Sequence, residues 1–275
     1  MTVLDDVAMF GAAHIASDDV DPIYPVLRWL YDAERMDDEQ RLWATILYTT
    51  YYNLTSGLQA FDAMPTAGRL PETVTRFPTG VERRGLRGGL TGPFIDGFID
   101  ALAGQSIKGW LTQSWGDDPV VNYLLLWDTW QTVKGNGRWS AFKIAEVLRR
   151  VHGFNIIAPD MRLKFCTGPL EGLRWMFPHG VSDDHRAKVF REAMIERGVD
   201  EDWEHLETVL CDFNSMRKGH YYVGHDIDQM QEQIAFAPAP IALRLREARH
   251  GSLPQAYLGE LNGWNGRSAP LAKSY

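Results

Sequence analysis

The sequence predicts a mostly α-helical protein, and three observations support this fold class. Apolar residues recur at three- and four-residue steps along most of the chain, strand-like alternation is scarce, and we find no internal repeat. Of the 275 residues, 45% are hydrophobic, which is enough for one large core or two joined lobes. We therefore expect one globular unit over residues 1–275, undivided or built as two lobes, with residues 20–115 and the C-terminal part in one lobe and residues 116–200 in the other.

The first predicted helices lie in the N-terminal third of the chain. One helix begins at Pro25 and places its apolar side chains on a single face, and the acidic residues at 37–39 indicate the start of another. Residues 42–52 are apolar on nearly every side, which is typical of a helix buried in the middle of a bundle. Three prolines and repeated glycines at 64–92 then predict a long connection, a kind of segment that is often functional.

Helical periodicity continues through the rest of the chain. The predicted helices are residues 94–112, 120–133, 140–152, 169–177, 183–197, 203–217, 230–236 and 241–250. The short segment at 154–157, Phe-Asn-Ile-Ile, is the best candidate for a strand. Helices therefore account for most of the predicted structure.

Charge and cysteine content exclude several classes of protein. The net charge of −8 argues against a generally basic polyanion binder, so any nucleic-acid surface must be a local patch. Two cysteines, Cys166 and Cys211, are too few for a disulfide framework, a four-cysteine zinc site or a cysteine-bound iron–sulfur cluster. No Lys or Arg precedes Arg28, and no run of about 18 apolar residues occurs, so we expect a cytoplasmic protein without a secretory leader or a membrane span.

A glycine-flanked turn joins the predicted helices at 120–133 and 140–152. Its glycines give the backbone freedom, and Ser140 or Asn136 would cap the helix that follows. The N–H groups of a first helical turn bind anions, and basic side chains surround this one. The predicted phosphate-binding residues are Lys134, Gly135, Gly137, Arg138 and Lys143. The alternative is an ordinary helix–helix turn with solvated basic residues.

An aspartate follows this turn at a distance that is informative. Asp160 lies 23 positions after Gly137 and comes directly after Pro159. In this order of elements, residues 120–180 resemble the helix-hairpin-helix region of the DNA glycosylase superfamily. The resemblance implies a two-lobed helical fold in which the Gly-x-Gly-Arg hairpin holds a DNA phosphate and Asp160 enters the active site. The lysine nucleophile of strand-nicking members is replaced here by Trp139, which disfavours strand-nicking repair.

Over most of its length the chain also resembles the phage amino acid:DNA transferases, or α-glutamyl/putrescinyl-thymine pyrophosphorylase-like proteins. The matching segments are ERRGLRG at 82–88, GRWSAFK at 137–143, APDMRL at 158–163 with Gly168-Pro169, LCDF at 210–213, GHYYVGHDID at 219–228 and GELNGW at 259–264. The resemblance implies that the substrate is DNA whose 5-hydroxymethyluracil carries phosphate or pyrophosphate. An amino acid or a polyamine would displace that group. A phage-encoded member would act in the host cytoplasm.

The implied chemistry requires three kinds of group. Extrusion of the base from the stack needs an aromatic surface, for which Trp139 is the candidate. The departing phosphate needs cationic donors, and the candidates are Arg83, Arg84, Arg87, Arg162 and Lys164. An attacking amine must lose a proton, and Asp160 is the predicted catalytic base. In a dissociative route, Asp160 would instead stabilise positive charge and orient the amine.

Residues after position 210 are candidates for the site of the amine. Aromatic faces and carboxylates bind cations, and the candidate residues are Cys211, Asp212, Tyr222, His225 and Asp226. The alternative is that these residues pack in the core, and free cysteine inside a helix usually does so. No familiar metal-ligand spacing occurs, so we expect neither a metal nor a cofactor.

Three functions follow, and the first is the leading hypothesis. It is a DNA-modifying transferase that makes hypermodified thymine from DNA and a small amine. The second is a monofunctional DNA glycosylase that uses Asp160 to stabilise an oxocarbenium-like sugar. The third is a DNA-binding helical protein without catalytic activity.

Overall fold

The computed structural model of the protein describes residues 2–179 and 182–258, and its helical fold class confirms the prediction. The α-helices are α1 (Val3–Ala16), α2 (Ile23–Ala33), α3 (Asp38–Tyr51), α4 (Leu54–Ala63), α5 (Glu72–Thr75), α6 (Thr91–Leu102), α7 (Ile107–Thr112), α8 (Pro119–Gln131), α9 (Arg138–His152), α10 (Gly168–Met176), α11 (Asp183–Glu196), α12 (Trp203–Arg217), α13 (His225–Ala235) and α14 (Ala239–Ser252). Two 3-10 helices span Val81–Leu86 and Gln255–Tyr257. No strand occurs in the described residues. The GELNGW motif at 259–264 lies outside them.

Helix α3 shows why the sequence folds as it does in the N-terminal third. Asp37 accepts a hydrogen bond from the backbone N–H of Gln40, and the Gln40 side chain accepts one from the N–H of Asp37. This reciprocal pair satisfies two N–H groups that have no partner inside the helix. Every residue of α3 from Leu42 to Tyr51 is buried, which confirms the prediction of a helix enclosed on all sides.

Several predicted boundaries are wrong for identifiable reasons. The helix predicted at 94–112 is two helices, because Ala103 and Gly104 adopt left-handed conformations with φ of 48° and 83°. The strand predicted at 154–157 is an irregular segment after the end of α9, where the N–H of Phe154 bonds the carbonyl of Leu148. The predicted connection at 64–92 holds the short helix α5 and a 3-10 helix.

Helices α1 and α4 were not predicted. Each begins at a residue whose side chain caps it: Thr2 accepts from the N–H of Asp5, and Asn53 accepts from the N–H of Ser56. Capping residues of this kind are readable in a sequence, so the signal for both helices was present.

The chain divides into two compact units. The first contains the segment that ends at Pro22, the segment Ala158–Gln231 and the segment that begins at Leu253. Within it α10 packs closely on α12, because Gly168 and Gly172 face that helix. A Cβ atom on Gly168 would lie 2.7 Å from Cys211 Sγ, and one on Gly172 would lie 2.9 Å from Leu210 Cδ1. Glycine at both positions therefore permits this packing.

The second compact unit contains Ile23–Ile157 and Glu232–Ser252. Its core includes a cluster of large aromatic side chains whose ring centroids lie 5.5 to 6.4 Å apart: Trp43, Phe98, Trp110 and Trp130. Edge-to-face pairs at such distances add to the stabilisation that apolar burial provides. None of the described helices has the length and apolar content needed to cross a membrane.

Candidate functional site

The segment 134–139 covers the end of the turn after α8 and the first two residues of α9, and it has the exposed glycines that the phosphate-binding prediction requires. Gly135 has φ of 102°, a conformation that favours glycine. A Cβ atom at Gly135 would also approach the Phe94 ring to 3.1 Å. Gly137 is the N-cap of α9 and supplies no side-chain cap. The exposed backbone of this turn, which we call the glycine corner, therefore meets the start of a helix.

The predicted capping of α9 by Ser140 or Asn136 is wrong. Helix α9 begins earlier, at Arg138, and the two side chains instead stabilise the turn from its buried side. The Trp130 indole N–H donates to the Ser140 hydroxyl at 2.9 Å, and that hydroxyl donates to Asn136 Oδ1 at 2.8 Å. Asn136 Nδ2 donates to the Trp130 backbone carbonyl at 3.0 Å. These bonds fix the glycine corner.

Four of the predicted cations of the second compact unit are accessible. Lys134, Arg84 and Arg87 are exposed, and Arg138 is half-buried with its guanidinium carbon 4.6 Å from the Phe142 ring centroid. These side chains remain candidates for phosphate contacts.

Lys143 is not such a candidate, which corrects the sequence prediction. The residue is 7% exposed, and its ammonium lies 2.6 Å from a carboxylate oxygen of Glu146, which is also buried. Its Nζ atom also contacts the hydroxyl of Tyr24 at 3.3 Å. These contacts hold Lys143 in the core. Loss of either member of the buried ion pair would leave an uncompensated charge.

Arg83 also departs from its predicted role in phosphate recognition. It is 5% exposed, and its Nε donates to the Thr50 carbonyl at 3.2 Å. Its guanidinium carbon lies 5.0 Å from the ring centroid of Phe94 and 5.9 Å from that of Trp139. Burial lowers the pKa of Arg83 to about 10. Arg83 thus positions Trp139, whose ring also meets Tyr52 edge-on at 4.6 Å.

Asp160 lies on an irregular loop of the first compact unit, and its side chain is exposed. Its Oδ1 accepts a hydrogen bond from the backbone N–H of Arg162 at 2.6 Å. Arg162 and Phe165 have left-handed φ values of 48° and 68°, which are uncommon for residues other than glycine. Phe165 is 82% exposed, with the Lys164 ammonium 5.1 Å from its ring centroid. An accessible carboxylate thus sits in a loop with three basic or aromatic neighbours.

Three of the five residues predicted for the amine site contact one another. The His225 ring meets the Tyr222 ring edge-on, with centroids 5.3 Å apart. The Nδ1 of His225 lies 2.9 Å from Asp226 Oδ1. The Tyr222 hydroxyl donates to the buried Asp228 at 2.9 Å. Asp212 lies 3.5 Å from the Nε2 of His14. The structure thus ties these residues into a polar network and leaves their role in binding an amine a prediction.

Cys211, the fifth residue of that set, is a poor ligand for a cation. Its sulfur packs where Gly168 makes room for it. Burial, reinforced by the charge of Asp212, raises the pKa of the Cys211 thiol well above its ordinary value. A protonated thiol is neither a strong nucleophile nor an anion, which corrects the assignment of this residue to the amine site.

The centre of the network is Asp19, which the sequence reasoning missed. Its carboxylate is fully buried and accepts hydrogen bonds from four donors. The donors are the Tyr221 hydroxyl at 2.7 Å, the N–H of Gly224 at 2.7 Å, and the N–H groups of Asp226 and Ile227 at 3.1 Å each. Burial, followed by the charge of Asp226, raises the pKa of Asp19 to about 7 despite these donors. Asp19 therefore caps helix α13 with its side chain.

His14 shares this buried site as a neutral imidazole. Its Nε2 lies 3.0 Å from the Tyr221 hydroxyl, and because that hydroxyl donates to Asp19, we assign Nε2 as the donor to Tyr221. Burial lowers the pKa of His14 to about 3. The folded protein thus binds this proton more weakly than the unfolded chain, whose histidine pKa is about 6.5.

This difference predicts how stability depends on pH. A depressed pKa contributes stability that is present above about pH 6.5 and is lost as the pH falls towards the pKa of the folded state. His14→Gln removes that titration. As the pH falls from about 6 to 4, the unfolding free energy of the variant should rise relative to that of the wild type by up to about 1.4 kcal/mol per pH unit. Urea unfolding at a series of pH values measures it, and parallel pH profiles for the two proteins would contradict it.

One cluster of residue types that can bind a metal occurs in the described residues. Hydrogen bonds among its members explain why they lie close together. Glu201, Asp202 and His205 place ligand atoms within 4.8 Å of one another. Asp202 caps α12 by accepting from the His205 N–H, and Glu201 bonds His205 Nδ1 at 2.8 Å. We assign no metal to this cluster.

Comparison with models of protein families gives a match over the middle of the chain. The family model described as amino acid:DNA transferase matches residues 75–222, more than half of the chain. The matched segment contains the glycine corner, Asp160 and Tyr222. No curated protein matches the chain.

Proposed function

The chain belongs to the amino acid:DNA transferase family, and from this premise we propose a specific reaction. The protein is an enzyme that modifies DNA by transferring an amine. Its substrate in this proposal is 5-hydroxymethyluracil in DNA whose exocyclic oxygen carries phosphate or pyrophosphate. The product is a hypermodified thymine.

The proposed step forms one bond and breaks one. After the donor's ammonium has lost one proton to solvent, the lone pair of the neutral amine attacks the 5-methylene carbon. The bond from that carbon to the phosphate oxygen breaks with its electrons leaving on the phosphate. The nitrogen then loses a proton to the Asp160 carboxylate. Arg162 and Lys164, which neighbour Asp160 in the loop, stabilise the charge of the departing phosphate.

The exposure of Asp160 is the observation that carries this proposal. A base must be within hydrogen-bond reach of the proton that it takes, and a carboxylate sealed in an apolar core would be out of reach. The Asp160 side chain is exposed, and its contact with the Arg162 N–H holds it in place. The same loop presents the exposed ring of Phe165, a surface on which an extruded base can stack.

We assign DNA binding to the glycine corner, acting as a helix-hairpin-helix. The N–H groups at the start of α9 suit a phosphate, because a helix N-terminus binds anions. Lys134, Arg84, Arg87 and Arg138 add charge, and Trp139 is the aromatic surface offered to the bases. This local patch explains how a chain with a net charge of −8 holds DNA.

Arg138→Ala tests the DNA-binding assignment. The variant should bind DNA more weakly regardless of sequence, and the slope of log K against log salt concentration should become shallower by about one. Fluorescence anisotropy at several salt concentrations measures both quantities. Arg246→Ala is the control, because Arg246 is an exposed arginine on α14, elsewhere in the same compact unit. An unchanged salt slope for Arg138→Ala would contradict the assignment of DNA binding to the glycine corner.

Product analysis tests the reaction. DNA that contains phosphorylated 5-hydroxymethyluracil is incubated with the protein and a mixture of amino acids, then digested to nucleosides and weighed. We expect an unbroken chain and a heavier thymidine derivative. Free base with alkali-labile DNA would indicate a glycosylase, and unchanged DNA would indicate a protein that only binds.

A further inference from the structure

A cleft of about 560 Å³ opens beside helix α10 in the first compact unit. Three charged side chains and three less polar ones are prominent in its lining: Glu171, Arg174, Arg217, Cys166, Leu170 and Trp175. Sites for small molecules commonly measure about 300–1,000 Å³. The cleft is thus large enough for a small metabolite, and Cys166 follows Asp160 by only six positions in the chain.

Most charges around the cleft are paired. Arg174 forms a two-point contact with Asp183, with Nε 3.1 Å and Nη2 2.6 Å from the carboxylate oxygens. Lys218 donates to Glu171 Oε2 at 2.5 Å. Arg217 has no such partner: its only approach to a carboxylate in the described residues is 4.0 Å, to Glu171 Oε1. One positive charge in the cleft is therefore weakly compensated.

Arg217 contacts Trp175 and Asn214, and its Nη1 has no acceptor in the described residues. Its guanidinium carbon lies 4.4 Å from the Trp175 ring centroid, and its Nη2 donates to Asn214 Oδ1 at 2.9 Å. Its Nη1 donates to none of the described residues, and its buried Nε has no hydrogen-bond partner there. A planar guanidinium that is fixed on one face and open at one edge matches the geometry of a carboxylate.

Glu171 supplies the opposite charge next to it. Its Oε2 accepts the bonds from Lys218 and Asn214, while Oε1 accepts none from the described residues. The hydrogen bond from Lys218 lowers the pKa of Glu171, which favours the ionised carboxylate. A free acceptor for an ammonium group and free donors for a carboxylate thus lie side by side.

We propose that this cleft binds the donor as an α-amino acid zwitterion, with its carboxylate on Arg217 and its ammonium on Glu171 Oε1. The inference rests on the proposed function, because that reaction needs an amine donor. It also selects among donors. An amino acid carries the carboxylate that Arg217 recognises, and a polyamine would bring only positive charge to Arg217.

Binding to the full-length protein without DNA tests this proposal. Each of the twenty standard amino acids is titrated by calorimetry, followed by the amide of the tightest binder, putrescine and inorganic phosphate. We expect at least one amino acid to bind, its amide to bind at least about tenfold more weakly, and Arg217→Gln to weaken binding by a similar factor. Failure of every amino acid to bind would overturn the proposal.

Arg191→Gln is the matched control. Arg191 also stacks on a tryptophan, with its guanidinium carbon 4.9 Å from the Trp203 ring centroid, and its Nε is likewise buried without a partner. Arg191 does not line the cleft, so its loss should change amino-acid affinity less than about twofold. Putrescine or phosphate binding more tightly than every amino acid would overturn the assignment.

The experiments distinguish an error in the assignment of the cleft from an error in the proposed reaction. If an amino acid binds in this way but DNA is never modified, the amino-acid site is supported and the proposed reaction is contradicted. If DNA is modified and Arg217→Gln leaves the KM for the amino acid unchanged, the reaction is supported and the assignment of the cleft is contradicted.

Discussion

Asp160→Asn is expected to slow amine transfer by at least about a hundredfold while DNA affinity stays within about threefold of the wild type. The amide keeps the oxygen that accepts the Arg162 N–H at 2.6 Å, so the loop should keep its shape. What the substitution removes is the capacity to take a proton from the attacking amine. Single-turnover kinetics on modified DNA measure the rate, and fluorescence anisotropy measures the affinity.

Asp200→Asn is the matched control for this variant. Asp200 is an exposed aspartate in the same compact unit and has no part in the proposed chemistry. Its loss should leave the rate within about twofold, as is usual for surface substitutions. Full activity of Asp160→Asn would remove Asp160 from the role of base.

Asp19→Ala is expected to give the largest loss of stability. The substitution leaves three backbone N–H groups and the Tyr221 hydroxyl without their acceptor in a buried site. An unsatisfied buried polar group costs about 1–3 kcal/mol, so a total of about 3 kcal/mol or more follows. This corresponds to a fall of about 6 °C or more in the midpoint of thermal unfolding.

Asp200→Ala again serves as the comparison, because an exposed carboxylate should change stability by no more than about 0.5 kcal/mol. If Asp19→Ala unfolds at the wild-type temperature, the buried network does not hold the start of α13.

The features that the sequence predicted correctly depend on local information. Helix α3 is recognisable because Asp37 caps it and a mainly apolar run begins at Leu42. The glycine corner is recognisable because backbone conformation is a property of neighbouring residues, and Gly135 has the positive φ that its type allows.

The predictions for Lys143 and Arg83 failed because burial depends on partners that are distant in sequence. Lys143 belongs to the face of α9 that packs inward, where Glu146 and Tyr24 receive it. Arg83 lies in a glycine-rich segment that is typical of a surface loop, yet it packs between Phe94 and Trp139. Charge alone does not indicate which basic residues reach solvent.

Two groups of residues carried no sequence signal that we could have used. Asp19 and Tyr221 are separated by 202 positions, and nothing local to either residue indicates the other. Arg217 and Glu171 are ordinary charged helix residues in the sequence. They become a pair of recognition groups only because Gly168 and Gly172 bring α10 against α12.

Transfer of isotope from a labelled amino acid is the most direct test of the account. The wild type and Asp160→Asn are each incubated with phosphorylated 5-hydroxymethyluracil DNA and an amino acid that binds the protein, labelled with ¹⁵N. We expect the wild type to yield a thymidine derivative whose mass increases by one unit for each labelled nitrogen, and Asp160→Asn to yield almost none. A modified nucleoside without the label, or equal labelling by both proteins, would contradict it.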